Sequence, residues 1–225
     1  MGLGKAIWEH RNKVTFDNIS VEPELVVRRA RDVINEEVGD SKGVARGTTA
    51  AGRSKGGDRE EGGWKVARPG YVKINIDAGA KEGEGVTMGV VCRDSNGDVM
   101  WGVSTGREQQ WEVPVAEACA VLDGLEEAVQ RGIQNVEIES DCLQVIEVLK
   151  DRKTGRSGFA HLIEDILDCS TKFQSVIWSH VSRNNNCVAH ALAHCFPCVS
   201  GKVVWDDDLP SSANSAVRFD KLLIE

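Results

Sequence analysis

Between Tyr71 and Val103 three alternating apolar runs follow one another too closely for a helix to intervene. Nothing else in the chain constrains the fold as much, because three such runs in succession must pair as an antiparallel meander. In the first, YVKINIDAGA, Val72, Ile74 and Ile76 alternate with Lys73, Asn75 and Asp77, the period-2 pattern of a half-buried strand. The run reads as a strand over Tyr71–Asp77 that ends on an acid, a small residue and a glycine. Val86–Cys92 is the second strand and Val99–Val103 the third, joined through DSNGD, where Asn96-Gly97 between apolar runs signals a hairpin. The period then changes. Pro114 opens a helix reaching about Arg131, with Gly132 as its C-cap and a stripe of Ala118, Leu122, Leu125 and Val129. A short strand over Val136–Glu139, helices over Asp141–Lys150 and Phe159–Cys169, a strand over Ser175–Val181 and a helix over Asn186–Cys195 complete the pattern. This order predicts an α/β fold with a five-stranded mixed sheet, three antiparallel strands and then parallel ones, flanked by helices.

The patterned region occupies residues 64–198 of 225. Residues 1–40 read as an N-terminal helical segment, with pieces around Ile7–Val14 and Pro23–Glu37. Residues 41–63, SKGVARGTTAAGRSKGGDREEGG, have the composition of a flexible linker. Residues 199–225 read as a mixed tail that packs only loosely on the domain. The net charge of -8 excludes a binder that works through overall basicity, so a nucleic-acid partner would need a local site. Seven scattered cysteines do not suggest a disulfide framework, and Cys92, Cys119, Cys142, Cys169 and Cys187, which lie in apolar runs, are expected as buried thiols. No apolar run approaches a membrane span, so no membrane partner is expected. The start, MGLGKA, is not a signal peptide, and Ala6 breaks the myristoylation pattern. Nucleus and cytoplasm are therefore the expected compartments, and a monomer the expected state.

A strand-helix-strand crossover should place Val136–Glu139 parallel to the first strand and beside it. Sites in open α/β sheets form beyond the carboxyl ends of parallel strands. Asp77 at the end of the first strand and Asp141 after the fourth then meet at one sheet edge. Glu117, in the first turn of the helix opened by Pro114, points toward the same edge. Three carboxylates in one place repel unless a cation neutralises them, and hard oxygen donors favour magnesium or manganese. Each acid also has an ordinary reading: Asp77 as a turn residue beside a Gly79 of positive φ, Glu117 as an acid favoured by the helix dipole, Asp141 as a helix cap.

The blocks KINIDAGA, GVVCRDSNGDVMWG, EACAVLDGLEEAVQRGIQNVEIESDCLQVI and SHVSRNNNCVAHALAH, in this order, resemble the plant reverse-transcriptase-like ribonuclease H domain of non-LTR retrotransposon polyproteins and genes derived from them. The likeness covers roughly residues 64–198, and IWEHRNKVTFDN and WDDDLP resemble the flanks of such domains. The resemblance implies a ribonuclease H-like fold and cleavage of the RNA strand of RNA–DNA hybrids by two magnesium ions, with manganese as a substitute. Asp77 would bridge both ions, and Glu117 and Asp141 would each help hold one. Ions about 4 Å apart suit the attacking and departing oxygens of an in-line displacement. The products would carry 5′-phosphate and 3′-hydroxyl ends. The sequence departs from the pattern where many relatives carry an aspartate four residues after an asparagine: here Asn186 is followed by His190. A neutral imidazole brings no negative charge, which weakens that part of the site. His180, ten residues before His190, matches a histidine that shuttles a proton or aids product release from a mobile loop. Its other reading is a surface histidine ending a strand.

For the substrate, Gly79, Ala80 and Asn186 are candidates to approach the shallow groove of a hybrid. The basic loop with Lys150, Arg152, Lys153 and Arg156 is a candidate for phosphate contacts, or simply a solvated helix-helix turn. His190, His194, Cys195 and Cys198 carry zinc-type donors, but one helix cannot easily wrap four ligands round a tetrahedral ion. Three functions follow: a magnesium-dependent hybrid ribonuclease, a weakly active or inactive retroelement-derived nucleic-acid-binding domain, and a scaffold with no nucleic-acid role.

Overall fold

The computed structural model describes residues 63–81, 84–152, 155–195, 200–206 and 208–224. The expected helical pieces in residues 1–40 and nearly all of the linker lie outside the described residues. The meander forms as its periodicity requires: β1 (Val72–Lys81), β2 (Gly85–Arg93) and β3 (Val99–Arg107) pair antiparallel, and Gly97 in the β2–β3 turn takes φ +80. The first helix, α1 (Val113–Gln130), crosses to β4 (Asn135–Ser140), which lies parallel to β1 with Ile74 opposite Ile138. Helices α2 (Leu143–Asp151) and α3 (Gly158–Ser170) lead to β5 (Ser175–His180), parallel to β4. A 3-10 turn over Arg183–Asn185 precedes α4 (Cys187–Cys195), followed by β6 (Gly201–Trp205) and α5 (Ser211–Leu222).

The described residues form one mixed sheet of six strands in the order β5-β4-β1-β2-β3-β6, one more strand than expected. The addition is β6, antiparallel on the β3 edge. The tail therefore does not pack loosely. Lys202 bonds to Glu127 of α1 at 3.1 Å, Asp206 accepts from Arg131 at 2.6 Å, and Asp220 of α5 pairs with Arg93 of β2 at 2.6 Å with both side chains buried.

Alternation splits the sheet into two packed faces. Ile74, Ile76, Val90, Val103, Val136 and Ile138 pack with α1 and α3, where Leu125, Ile163 and Ile166 are buried. The other face is covered by α4 and α5 through Val91, Val188, Leu192, Leu209, Ala213 and Val217. Helix α4 lies hard against β2: a Cβ on Gly89 would fall 2.2 Å from the Ala189 carbonyl and 2.3 Å from the Ala193 amide. Gly89 is the antiparallel partner of Asp77. The missing side chain thus sets how closely α4, with its histidines, approaches the acid on β1.

Of the five cysteines expected to be buried, Cys92, Cys119 and Cys169 are, Cys142 is half-buried and Cys187 is exposed at the start of α4. Cys187 occupies an outward position of a short helix whose inward residues are Val188, Ala189 and Leu192. No helix among the described residues is long and apolar enough to cross a membrane.

Candidate active site

Strand β1 does not stop at Asp77. It runs on to Lys81, with Gly79 inside the antiparallel ladder opposite Thr87 and without the positive φ of a turn glycine. What stops is its parallel partner: the β1–β4 pairing ends at Ile76 opposite Ser140. Asp77 is the first residue past that ladder, and Asp141 is the first past β4. Where the two strands part, backbone groups on both sides are left for side chains to satisfy.

Glu117 satisfies one of them. It sits one turn into α1, further in than the first-turn position expected, because the helix begins at Val113. Its Oε1 accepts from the Ala78 amide at 3.0 Å and its Oε2 from the Ser140 hydroxyl at 3.1 Å. The Ser140 Oγ in turn accepts from the Cys142 amide at 2.9 Å. Donor atoms of Asp77, Glu117 and Asp141 all lie within 4.8 Å of one another. Burial and then the charge of Asp77 push the Glu117 carboxyl up to about 8, against the opposing hydrogen bond from Ala78. Burial and Asp77 also raise Asp141, although Asn186 lowers it. The pocket therefore holds more carboxylate than its own hydrogen bonds can neutralise. Oxygen donors at this spacing with excess negative charge fit a hard divalent cation.

Helix α4 completes the surround from the other face. Asn186, just before it, is buried; its Nδ2 donates to the Ile76 carbonyl at 2.7 Å and to Asp141 Oδ1 at 3.2 Å. Asn186 is expected near a substrate groove; here both amide hydrogens are used in tying Asp141 to β1. His190 lies against Asp77, with Nδ1 to Oδ2 at 2.8 Å, and Arg183 Nη2 is 3.3 Å from the same nitrogen. His194 is one turn further along, its ring centroid 4.0 Å from that of His190.

Other expected residues are distributed around this centre. Gly79 is half-buried and Ala80 exposed on β1 beyond Asp77. His180 is the last residue of β5, exposed and opposite Ser140, so it ends a strand instead of sitting in a loop. Lys150, Arg152 and Arg156 are exposed, with Arg152 closing α2 at φ 50. Helix α2 starts beside Asp141, and its nine residues span roughly 13 Å, which carries this loop away from the acids. Lys153 lies outside the described residues, as does Cys198. Cys195 turns inward, its Sγ 3.2 Å from the Leu192 carbonyl and 3.5 Å from Ser104 Oγ, so it does not join His190 and His194 as a zinc-type donor.

Sequence reasoning missed Ser140 and the positioning role of Asn186. The signal for Ser140 was present: it follows Val136 and Ile138 on the inward side of β4, where a hydroxyl needs a partner. For Asn186 there was none, since its partners lie 110 and 45 residues away.

Comparison with known proteins agrees with this architecture. Ribonuclease H1 from the halophilic archaeon Halobacterium salinarum NRC-1 superposes with a TM-score of 0.50 at 20% identity, covering 55% of this chain and 94% of that one. LC11-RNase H1, solved in complex with an RNA/DNA hybrid, gives 0.50 at 20% identity, covering 54% and 92%. The fold is thus that of ribonuclease H. No curated protein matches the sequence. A family model described as reverse transcriptase-like matches residues 75–195, from the strand that carries Asp77 to the last residue of α4, and the chain belongs to that family.

Proposed function

We propose that the chain is a ribonuclease H-type endonuclease that cleaves the RNA strand of RNA–DNA hybrids with the help of magnesium, or manganese in its place. The observation that carries this reading is the meeting of Asp77, Glu117 and Asp141 within 4.8 Å where β1 and β4 part. The ribonuclease H fold and the family support it, as does a structural neighbour bound to an RNA/DNA hybrid. Asp77, Glu117 and Asp141 would hold the cations. Divalent ions there supply an activated water and stabilise charge developing on the leaving oxygen.

The chain's own residues prepare that site. Ala78 and Ser140 fix both oxygens of Glu117, and Asn186 orients Asp141. His180, exposed at the end of β5, is in this reading the histidine that shuttles a proton or aids product release. Ala80 and Gly79 would lie along the substrate's approach, Ala80 exposed and Gly79 beneath the His194 ring. A monomer acting in the nucleus or cytoplasm is part of the proposal, as is a retrotransposon origin of the plant type.

A second reading, a weakly active or inactive nucleic-acid-binding domain, is favoured by His190 in the position where the resemblance expects an acid. One assay separates the two: cleavage of a fluorescent RNA–DNA hybrid in magnesium and then manganese, with Asp77→Asn as control. Cleavage that falls by about a hundredfold or more in the variant, with unchanged circular dichroism, is the expected result. Equal cleavage by both proteins would remove the assigned site. Binding without cleavage in either metal would leave the second reading.

A further inference from the structure

Helix α4 carries two imidazoles one turn apart, His190 and His194, and both face the β1 acid. Each residue of the group Asp77, His190 and His194 offers a donor atom within 4.8 Å of the others. Tautomers follow from the partners. His194 Nδ1 lies 3.0 Å from the His190 carbonyl oxygen, which can only accept, so Nδ1 carries the proton and Nε2 keeps its lone pair. Fixing one nitrogen on a backbone carbonyl while the other faces outward is how metal-ligating histidines are oriented. The free edge of that ring lies over β1: a Cβ on Gly79 would sit 3.6 Å from His194 Nε2. His190 Nδ1 and Asp77 Oδ2 are 2.8 Å apart, a hydrogen-bond distance; a metal taking both at about 2.1 Å would displace the proton between them and part them to about 3.4 Å in a tetrahedral site. The nearby cation, Arg183, is on an exposed side chain free to swing out.

We propose that Asp77, His190 and His194 form a two-histidine, one-carboxylate site for a borderline divalent metal of the zinc and cobalt class, adjoining the three-carboxylate pocket and sharing Asp77 with it. Imidazole donors favour such ions over magnesium, and three protein ligands leave positions open for water or a phosphate oxygen. His190, where the resemblance expects an acid, then changes which metal the site selects, where a loss of charge alone would only weaken it. The proposal rests on Asp77 as a cation ligand, as in the proposed function.

The test is cobalt(II) titration of the full chain, followed by visible ligand-field absorption and by calorimetry, in wild type and His194→Ala. His194 is exposed on its helix and alanine favours helix, so the variant folds. A visible band that excess magnesium does not abolish, with affinity at least about tenfold weaker in His194→Ala, is expected, since even outer-shell partners cost about 10–100-fold. Equal affinity in both proteins, no band, or a near-ultraviolet thiolate charge-transfer band showing cysteine ligation would each overturn the proposal. The readout does not depend on hydrolysis. A wild type that fails to cleave hybrids counts against the proposed function and leaves the cobalt result standing. One that cleaves with magnesium but binds cobalt independently of His194 overturns only this site.

Discussion

Glu117 is buried beside two other acids, and its carboxyl is raised from 4.5 to about 8 by burial and by Asp77. Folding therefore binds a proton more tightly than the unfolded chain does. The resulting stabilisation is complete below about pH 4.5 and is lost as pH rises toward 8. In chelator, the wild type should lose melting temperature across this window, while Glu117→Gln, uncharged throughout, should lose less. At pH 8 the variant should melt higher than metal-free wild type, by a few degrees at about 2–4 °C per kcal/mol. Adding magnesium should raise the wild type and leave the variant nearly unmoved. Thermal scans at several pH values, with and without metal, check all three statements. A variant that melts lower than wild type at pH 8 without metal would show that Glu117 acts mainly through its bonds to Ala78 and Ser140.

At the scale of elements, α4 is held at its depth by Gly89. Gly89→Ala places a methyl group against two backbone atoms of α4, which cannot move as a flexible side chain would. The helix must lift, and His190 with it. The expected cost is at least about 1–3 kcal/mol in urea denaturation, with His190 drawn away from Asp77 and the strands preserved. Unchanged stability would mean that α4 yields to the added methyl more readily than its packing on Gly89 implies. This element also shows what sequence could convey. The meander, α1, β4 and the three acids were legible because each rests on local periodicity or on a topological rule. The extent of β1 was not: Asp77, Ala78 and Gly79 looked like a strand end, but β2 continues to pair with them after β4 has stopped. Neither β6 nor α5 was legible, since GKVVW is short and α5 presents only Ala213, Val217 and Asp220 as buried residues.

Across the whole molecule, a buried polar network joins the middle of the sheet to the tail. Arg93 bonds to Asp220 at 2.6 Å and to Asn75 at 2.8 Å, and lies over the Trp64 ring at 3.3 Å. Trp64 donates to Asn75 at 3.0 Å, and Asn75 donates to Glu139 at 2.9 Å. Burial raises the Asp220 carboxyl, while Arg93 opposes the shift. Removing one partner leaves a buried, unpaired charge, so Asp220→Ala should cost about 3–5 kcal/mol in urea denaturation. That is a large share of a typical domain's stability, about 5–15 kcal/mol. A loss below about 1 kcal/mol would mean that Asn75 and Trp64 suffice to hold the guanidinium.

The sequence separation of 127 between Arg93 and Asp220 also orders events in time. On a ribosome adding roughly 5–20 residues per second, about 6–25 s separate the two ends of this ion pair. Until β6 and α5 emerge, the β3 edge is unpaired and Arg93 lacks its carboxylate, so the nascent domain passes through an interval in which a strand edge lies open that its finished form covers.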